Sequence, residues 1–244
     1  MPLLQTKALA KRFGGLVAND GIDLAIEAGE VRGVIGPNGA GKTTLVNLIA
    51  GLYPPSSGEI ELGGERITGL PPQQIARLGL VRTFQVARLF AHLTLRENLR
   101  LPALVRDRSR TARRRAAEHA DRLLELTKLT ALADAPARVL SGGQQALVQC
   151  AAGFMLPKLR CYVMDEPFAG INPVIKETIV ELIERENRER GITFLIVSHE
   201  MEIVRRLCPK VTVLIEGRVF TEGALETVAA DPRVITAYLG RNVA

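Results

Sequence analysis

The chain has 244 residues, 47% of them hydrophobic and 24% charged, with a formal net charge of +6. That length suits one large α/β domain, or a core with a small subdomain, and the apolar share excludes an intrinsically disordered chain. No apolar run reaches the ~18 residues needed to cross a bilayer, and the N-terminus lacks the pattern of a secretion signal, so a cytoplasmic location is expected.

In chain order, residues 3–9 and 22–26 read as short strands, and Gly29-Glu30 turns the chain into an apolar strand at 31–35. That strand runs into Gly36-Pro37-Asn38-Gly39-Ala40-Gly41-Lys42-Thr43, a phosphate-binding loop pattern in the strand-then-helix context it requires. Glycines there let backbone wrap phosphates, Lys42 neutralises β- and γ-oxygens, and the Thr43 hydroxyl can ligate Mg²⁺. Leu45, Leu48 and Ile49 give helical spacing over 43–52, and a hairpin follows with strands at 59–62 and 66–67 about the Gly63-Gly64 turn. Phe13, one of few aromatics, offers a ring that could stack on adenine.

Gln85 falls between this nucleotide core and a helical region, where an amide can both ligate Mg²⁺ or water and move with the segment attached to it. A capping box at Thr94-Leu95-Arg96-Glu97 opens a mostly helical stretch to about residue 132. Arg106, Arg108, Arg110 and residues 113–115 form a basic cluster, read first as a solvated helix face or loop, with contact to membrane lipid or nucleic acid as the alternatives. Next comes Leu140-Ser141-Gly142-Gly143-Gln144-Gln145, which places a hydroxyl, bare backbone N–H groups and a helix N-terminus where phosphate oxygens are favoured. The chain already has one phosphate cradle, so this second element suits a nucleotide held by another subunit.

Cys161-Tyr162-Val163-Met164-Asp165-Glu166 is a buried strand ending in two acids: Asp165 to hold Mg²⁺ and Glu166 to orient or deprotonate water. A helix is expected over 173–190, and strands over 192–197 and 211–215, so strand and helix alternate and the sheet should be largely parallel. His199 follows the strand at 192–197, at the carboxyl end where open α/β sheets place ligands, while His92 and His119 read as structural. Cys150, Cys161 and Cys208 show no paired or metal-ligand spacing and are expected to be reduced core residues.

Together these motifs resemble the ATP-binding-cassette ATPases along nearly the whole chain, from Phe13 through Ala169-Gly170-Ile171-Asn172-Pro173 to His199. The resemblance implies an α/β fold in residues 1–244: a P-loop ATPase core of ABC type with an antiparallel β subdomain, and a helical signature subdomain inserted at about 94–155. It implies two such subunits closing head to tail around two ATP molecules. By position, Phe13 packs on adenine, and Gly36, Asn38, Gly39, Gly41, Lys42, Thr43 and Thr44 hold phosphates. Thr43, Gln85 and Asp165 serve Mg²⁺, and Gln85 couples the site to a membrane partner. Ser141, Gly142, Gly143 and Gln144 face the opposite nucleotide, Glu166 is the general base, and His199 contacts the γ-phosphate.

Phe13-Gly14-Gly15-Leu16, Arg82-Thr83-Phe84-Gln85 with Arg88-Leu89-Phe90, and Asp231-Pro232-Arg233 with Ala237-Tyr238-Leu239-Gly240 resemble the branched-chain amino-acid importer ATPases. Relatives of that subgroup handle urea or other amides. This implies hydrophobic transmembrane permease subunits, a second ATPase subunit (a non-identical cassette, with a homodimer open), an extracytoplasmic binding protein, and a peripheral position on the inner membrane face. An exporter of lipid or polysaccharide shares the cassette. A soluble ABC protein acting on nucleic acid or ribosomes is disfavoured by the single cassette without a coiled-coil insertion, and no Asn-Lys-x-Asp motif supports a GTPase. One departure stands out: the signature continues as Ala146-Leu147-Val148-Gln149-Cys150-Ala151-Ala152-Gly153-Phe154-Met155, without the usual basic residues, and the approach Pro157-Lys158-Leu159-Arg160 is long.

Overall fold

The computed structural model describes residues 1–83, 89–104 and 109–239; Phe84, Gln85, Arg88, Arg106 and Arg108 lie outside the described residues. Strands β1 (Leu4–Phe13) and β2 (Leu16–Ile26) form a long antiparallel hairpin. They extend well beyond the expected 3–9 and 22–26, because register shifts at Thr6, Leu9 and Lys11 break the alternation that marks a strand in sequence. After β3 (Val31–Ile35) and α1 (Lys42–Ile49), strands β4 (Ser57–Leu62) and β5 (Glu65–Arg66) complete a four-stranded antiparallel sheet in the order β2-β1-β4-β5.

The chain continues through α2 (Pro72–Leu78), β6 (Leu80–Arg82), α3 (Leu95–Arg100), α4 (Arg110–Leu126), α5 (Gly142–Phe154), β7 (Cys161–Asp165) and α6 (Pro173–Arg190). It ends with β8 (Thr193–Val197), α7 (Met201–Leu207), β9 (Lys210–Ile215), β10 (Arg218–Gly223), α8 (Leu225–Ala229) and α9 (Pro232–Leu239). The second sheet runs β10-β9-β3-β8-β7-β6, parallel throughout except for the antiparallel β10 edge. Every residue of β3, β7 and β8 is buried, and the strands are mostly apolar, as a central parallel strand requires, with Arg32, Asp165 and Thr193 as the polar exceptions.

The helical stretch expected from 94 to 132 is broken into α3, a short 3₁₀ turn at Pro102–Leu104, α4, and a second 3₁₀ turn at Thr130–Leu132. Pro102 has no N–H to continue α3, whereas the Thr94 capping box is formed as expected, with Thr94 Oγ1 accepting from the Glu97 N–H. One core fills the space between the two sheets and α1, with Leu9, Ile22, Leu45, Ile49, Val163, Val197 and Leu214 buried in it. A second lies on the opposite face, where α3, α4, α5 and α6 pack with Leu99, Leu123, Leu147, Phe154 and Ile183.

The unusual helix after the signature has a physical reason in this second core. Leu147, Val148, Cys150, Ala151 and Phe154 are buried, so charged residues there would be desolvated. Tyr162 Oη donates to the Cys150 carbonyl at 3.0 Å, and a Cβ at Gly153 would lie 2.2 Å from that oxygen and 2.3 Å from Cζ. Glycine inside a helix costs ~1 kcal/mol against alanine, and here it makes room for the tyrosine ring. Phe154 meets that ring edge-on at 5.1 Å between centroids. The cation missing from the end of α5 comes from α6, whose Arg190 Nη1 donates to the Phe154 carbonyl at 3.1 Å. The long approach segment is tied down too, the N–H groups of Arg160 and Cys161 both donating to Gly79 O.

Cys150, Cys161 and Cys208 are free and buried, and burial pushes each thiol up to about 12. Among the described residues, no helix is long and apolar enough to cross a membrane.

Candidate functional site

In the register of the parallel sheet, Val34 of β3 is level with Val197 of β8, and Val197 with Asp165 of β7. The loops that leave these strands therefore emerge side by side at one sheet edge, the carboxyl edge where α/β folds bind ligands. They carry Lys42 and Thr43, then Asp165 and Glu166, then His199.

The loop from Gly36 to Thr43 closes on the N-terminus of α1, which has no side-chain cap. Its N–H groups are thus left for an anion. Gly41 has φ 93°, and a Cβ there would sit 2.4 Å from Ala18 O of β2, so the loop can pass under the hairpin only as glycine. Asn38 and Gly39 are exposed at the loop's tip, and Thr44 is half-buried beside Thr43. Lys42 Nζ donates to the loop's own carbonyls, Gly36 O at 2.7 Å and Pro37 O at 3.0 Å. The ammonium thereby sits in the concavity of the loop. Burial lowers its pKa, while the charges of Glu166 and Asp165 pull it back up.

Asp165 is buried, and its Oδ1 accepts from Thr43 Oγ1 at 3.5 Å. A hydroxyl and a carboxylate oxygen converging in this way are hard donors of the kind Mg²⁺ takes, with substrate phosphates and water completing its shell. The residues present fit that ion. Glu166 turns the chain sharply, with φ 50°, a conformation that costs a non-glycine residue of order 1 kcal/mol or more. Its N–H donates to Val197 O at 2.9 Å, which anchors the turn to β8. The turned-out carboxylate meets His199 Nδ1 at 2.9 Å. The His199 loop is itself held, since Glu200 N–H donates to the buried Ser198 Oγ at 3.1 Å and Glu200 pairs with Lys176 of α6.

Phe13 stands at the end of β1, partly exposed, with Tyr53 edge-on at 5.5 Å and Lys11 Nζ 5.0 Å above its ring. Ser141 caps α5 in a reciprocal box: its Oγ accepts from the Gln144 N–H at 3.3 Å, and Gln144 Oε1 accepts from the Ser141 N–H at 3.0 Å. The amide oxygen of Gln144 is thus committed to the cap, whereas the N–H groups of Gly142 and Gly143, in the first turn of α5, have no intrahelical acceptor. Gln85 lies outside the described residues.

Lys42, Thr43, Asp165, Glu166 and His199 are brought into one cluster, and no bond joins it to Ser141, Gly142, Gly143 or Gln144. Sequence reasoning passed over Arg82, whose Nη2 donates to Asp165 Oδ2 at 2.8 Å and whose Nη1 donates to Asn47 of α1. It also passed over Thr83, whose Oγ1 accepts from the Asp165 N–H at 3.2 Å, and over Tyr53. Arg82 and Thr83 belong to the Arg82-Thr83-Phe84-Gln85 run that carries the importer resemblance, but that run assigned them no role in the site.

Residues 19–169 match the family described as ABC transporter. The high-affinity branched-chain amino acid transport ATP-binding protein BraF of Pseudomonas aeruginosa is 39% identical over 98% of this chain and 98% of its own. Among solved structures, an ATP-binding cassette of an ABC transporter in its ADP conformation superposes with a TM-score of 0.85 at 33% identity, covering 98% of this chain and 99% of that one. A dimeric cassette in a post-hydrolysis state bound to ADP and phosphate gives 0.81 at 26% identity over 91% of this chain and 98% of that one. The two-sheet architecture is that of these cassettes, the family match spans more than half of the chain, and this chain belongs to the ABC transporter family as one of its ATP-binding cassettes.

Proposed function

We propose that the chain is the ATP-hydrolysing subunit of a membrane importer for branched-chain or related amino acids, with urea and other amides in the same range. The observation that carries the enzymatic part is the cluster at the carboxyl edge of β3, β7 and β8, where Asp165 faces Thr43 and Glu166 pairs with His199 beside Lys42. The transported class rests on the similarity to BraF along nearly the full length of both chains.

In this reading Gly36, Asn38, Gly39 and Gly41 wrap the phosphates, and Lys42 exchanges its two loop carbonyls for β- and γ-oxygens. Thr43 and Asp165 hold Mg²⁺, with Gln85 as a further ligand. The ion supplies neutralisation of phosphate charge when bound. Thr44 steadies the phosphates and Phe13, with Tyr53 behind it, packs on adenine. Glu166 orients the attacking water and takes its proton, and His199, held at 2.9 Å, contacts the γ-phosphate. No covalent intermediate is needed, because positioning and charge stabilisation carry phosphoryl transfer.

Residues 1–244 work as a single unit in which about 94–155 form the helical subdomain, a division supported by the packing of α3, α4 and α5 on one another. Ser141, Gly142, Gly143 and Gln144 then face the nucleotide of a second cassette, a different subunit or a second copy, and the dimeric relative supports such pairing. The permease subunits, which a binding protein serves from outside, meet the groove beside β6, where Leu89, Phe90, Leu101 and Pro102 are grouped and Phe90 and Leu101 are exposed. The chain is thereby held at the inner membrane face.

Glu166→Gln keeps the shape of the site and removes the base. Turnover should fall at least a hundredfold, the range for losing a general base, while equilibrium binding of ATP persists. Undiminished hydrolysis by the folded variant would remove Glu166 from that role.

A further inference from the structure

Arg32 and Arg82 both lie below the surface, and they are satisfied very differently. Arg32, in the middle of β3, donates from Nε to Glu30, from Nη1 to Thr212 and Glu222, and from Nη2 to Ala25 O. It clamps β3 to β2, β9 and β10. Arg82, at the end of β6, has a side chain only 9% exposed, and its Nε is buried with no hydrogen-bond partner among the described residues. Its charge rests on one oxygen of Asp165, whose side chain is fully buried. A desolvated, single-headed pair with an orphaned donor is a poor device for stability, and buried groups left in that state mark sites of function.

We propose that Arg82 is a positioning residue that serves Asp165 as an internal counter-cation and competes with Mg²⁺ for its carboxylate, which deepens the ATPase reading above and rests on it. The carboxylate has two faces. Oδ1 meets Thr43 of the phosphate loop and Oδ2 meets Arg82. In the absence of metal the guanidinium offsets a buried negative charge that would repel incoming phosphates. When metal arrives on the Thr43 side, the carboxylate's charge is divided between two cations, so the hold on Arg82 weakens. The end of β6 feels this twice, because the next residue, Thr83, accepts the Asp165 N–H at 3.2 Å. Asn47, the second partner of Arg82, fixes the guanidinium to α1 and carries no charge.

The test is ATP binding to the purified full-length chain by calorimetry, once with EDTA and once with MgCl₂, the readout being the ratio of the two affinities. In Arg82→Gln and in Arg82→Met, which keeps more of the buried stem, metal-free ATP should bind more weakly and the ratio should rise about tenfold, the effect of ~1.4 kcal/mol. Arg82→Lys keeps the charge and should bring the ratio back toward wild type. Asn47→Ala should leave it unchanged. A structural role alone would lower the melting temperature and both affinities together, so a wild-type ratio in a folded neutral variant overturns the proposal and leaves the ATPase reading standing. A wild-type chain that binds no ATP under either condition overturns both.

Discussion

Lys42 and His119 are two basic groups that burial treats in the same direction and their neighbours treat oppositely. Both lose affinity for their proton by desolvation, but Lys42 faces Asp165 and Glu166, whereas His119 faces Arg190 and Arg122. His119 is therefore pushed down from 6.5 to about 4 and is neutral in the folded chain at neutral pH. Its folded-state pKa is depressed, so the unfolded chain binds the extra proton between those two values. Its contribution to stability is fully present above about pH 6.5 and is lost as the pH falls toward 4. Urea midpoints at pH 7.5 and pH 5 should show a smaller drop in His119→Gln than in the wild type. Equal drops would assign the acid sensitivity to other groups.

Among the elements, α5 shows most clearly how a local irregularity is resolved by a neighbour. Its first turn is set by Ser141 and Gln144, which serve each other, while its fourth turn is set by Tyr162 of β7, the next element, eight residues on from Phe154. Gly153→Ala would raise helix propensity by ~1 kcal/mol yet force a methyl into the tyrosine ring at 2.2–2.7 Å. The steric term wins. A net loss of about 2 kcal/mol is expected, a melting temperature lower by roughly 4–8 °C for a chain of this size. A higher melting temperature in that variant would show that the ring moves freely. In the same way Arg190 supplies the end of α5 with a charge that its own sequence lacks.

For the molecule as a whole, the important geometry is the separation of the P-loop from the α5 mouth, which the proposed function assigns to the nucleotide of a second cassette. The P-loop side is assembled in cis by the sheet edge, whereas among the described residues the cap at the α5 mouth is closed by Ser141 and Gln144 on each other. A bulky cation at the mouth should therefore spare one function and destroy the other. Ser141→Arg, dilute and alone, is expected to bind ATP as the wild type does, while turnover in the assembled pair falls about a hundredfold, as for a lost transition-state donor. A parallel loss of ATP affinity in the dilute chain would place Ser141 in the cis site.

The P-loop between β3 and α1, the acid pair closing β7, the capping box at Thr94, the span of α6 and the parallel sheet were legible from sequence alone, because each is a local pattern whose residues are neighbours in the chain. The sequence was silent on β6, β10, α2 and α7 to α9, which are short or one-sided and owe their form to the elements they pack on. It could also pose the odd sequence of α5 without resolving it. Only the tertiary structure decided that Gly153 answers Tyr162, that Glu166 turns to meet His199, and that Arg82 crosses from β6 to the far side of Asp165. Those pairings join residues up to 83 positions apart, and long-range contact is a property of the packed sheet that no local period encodes.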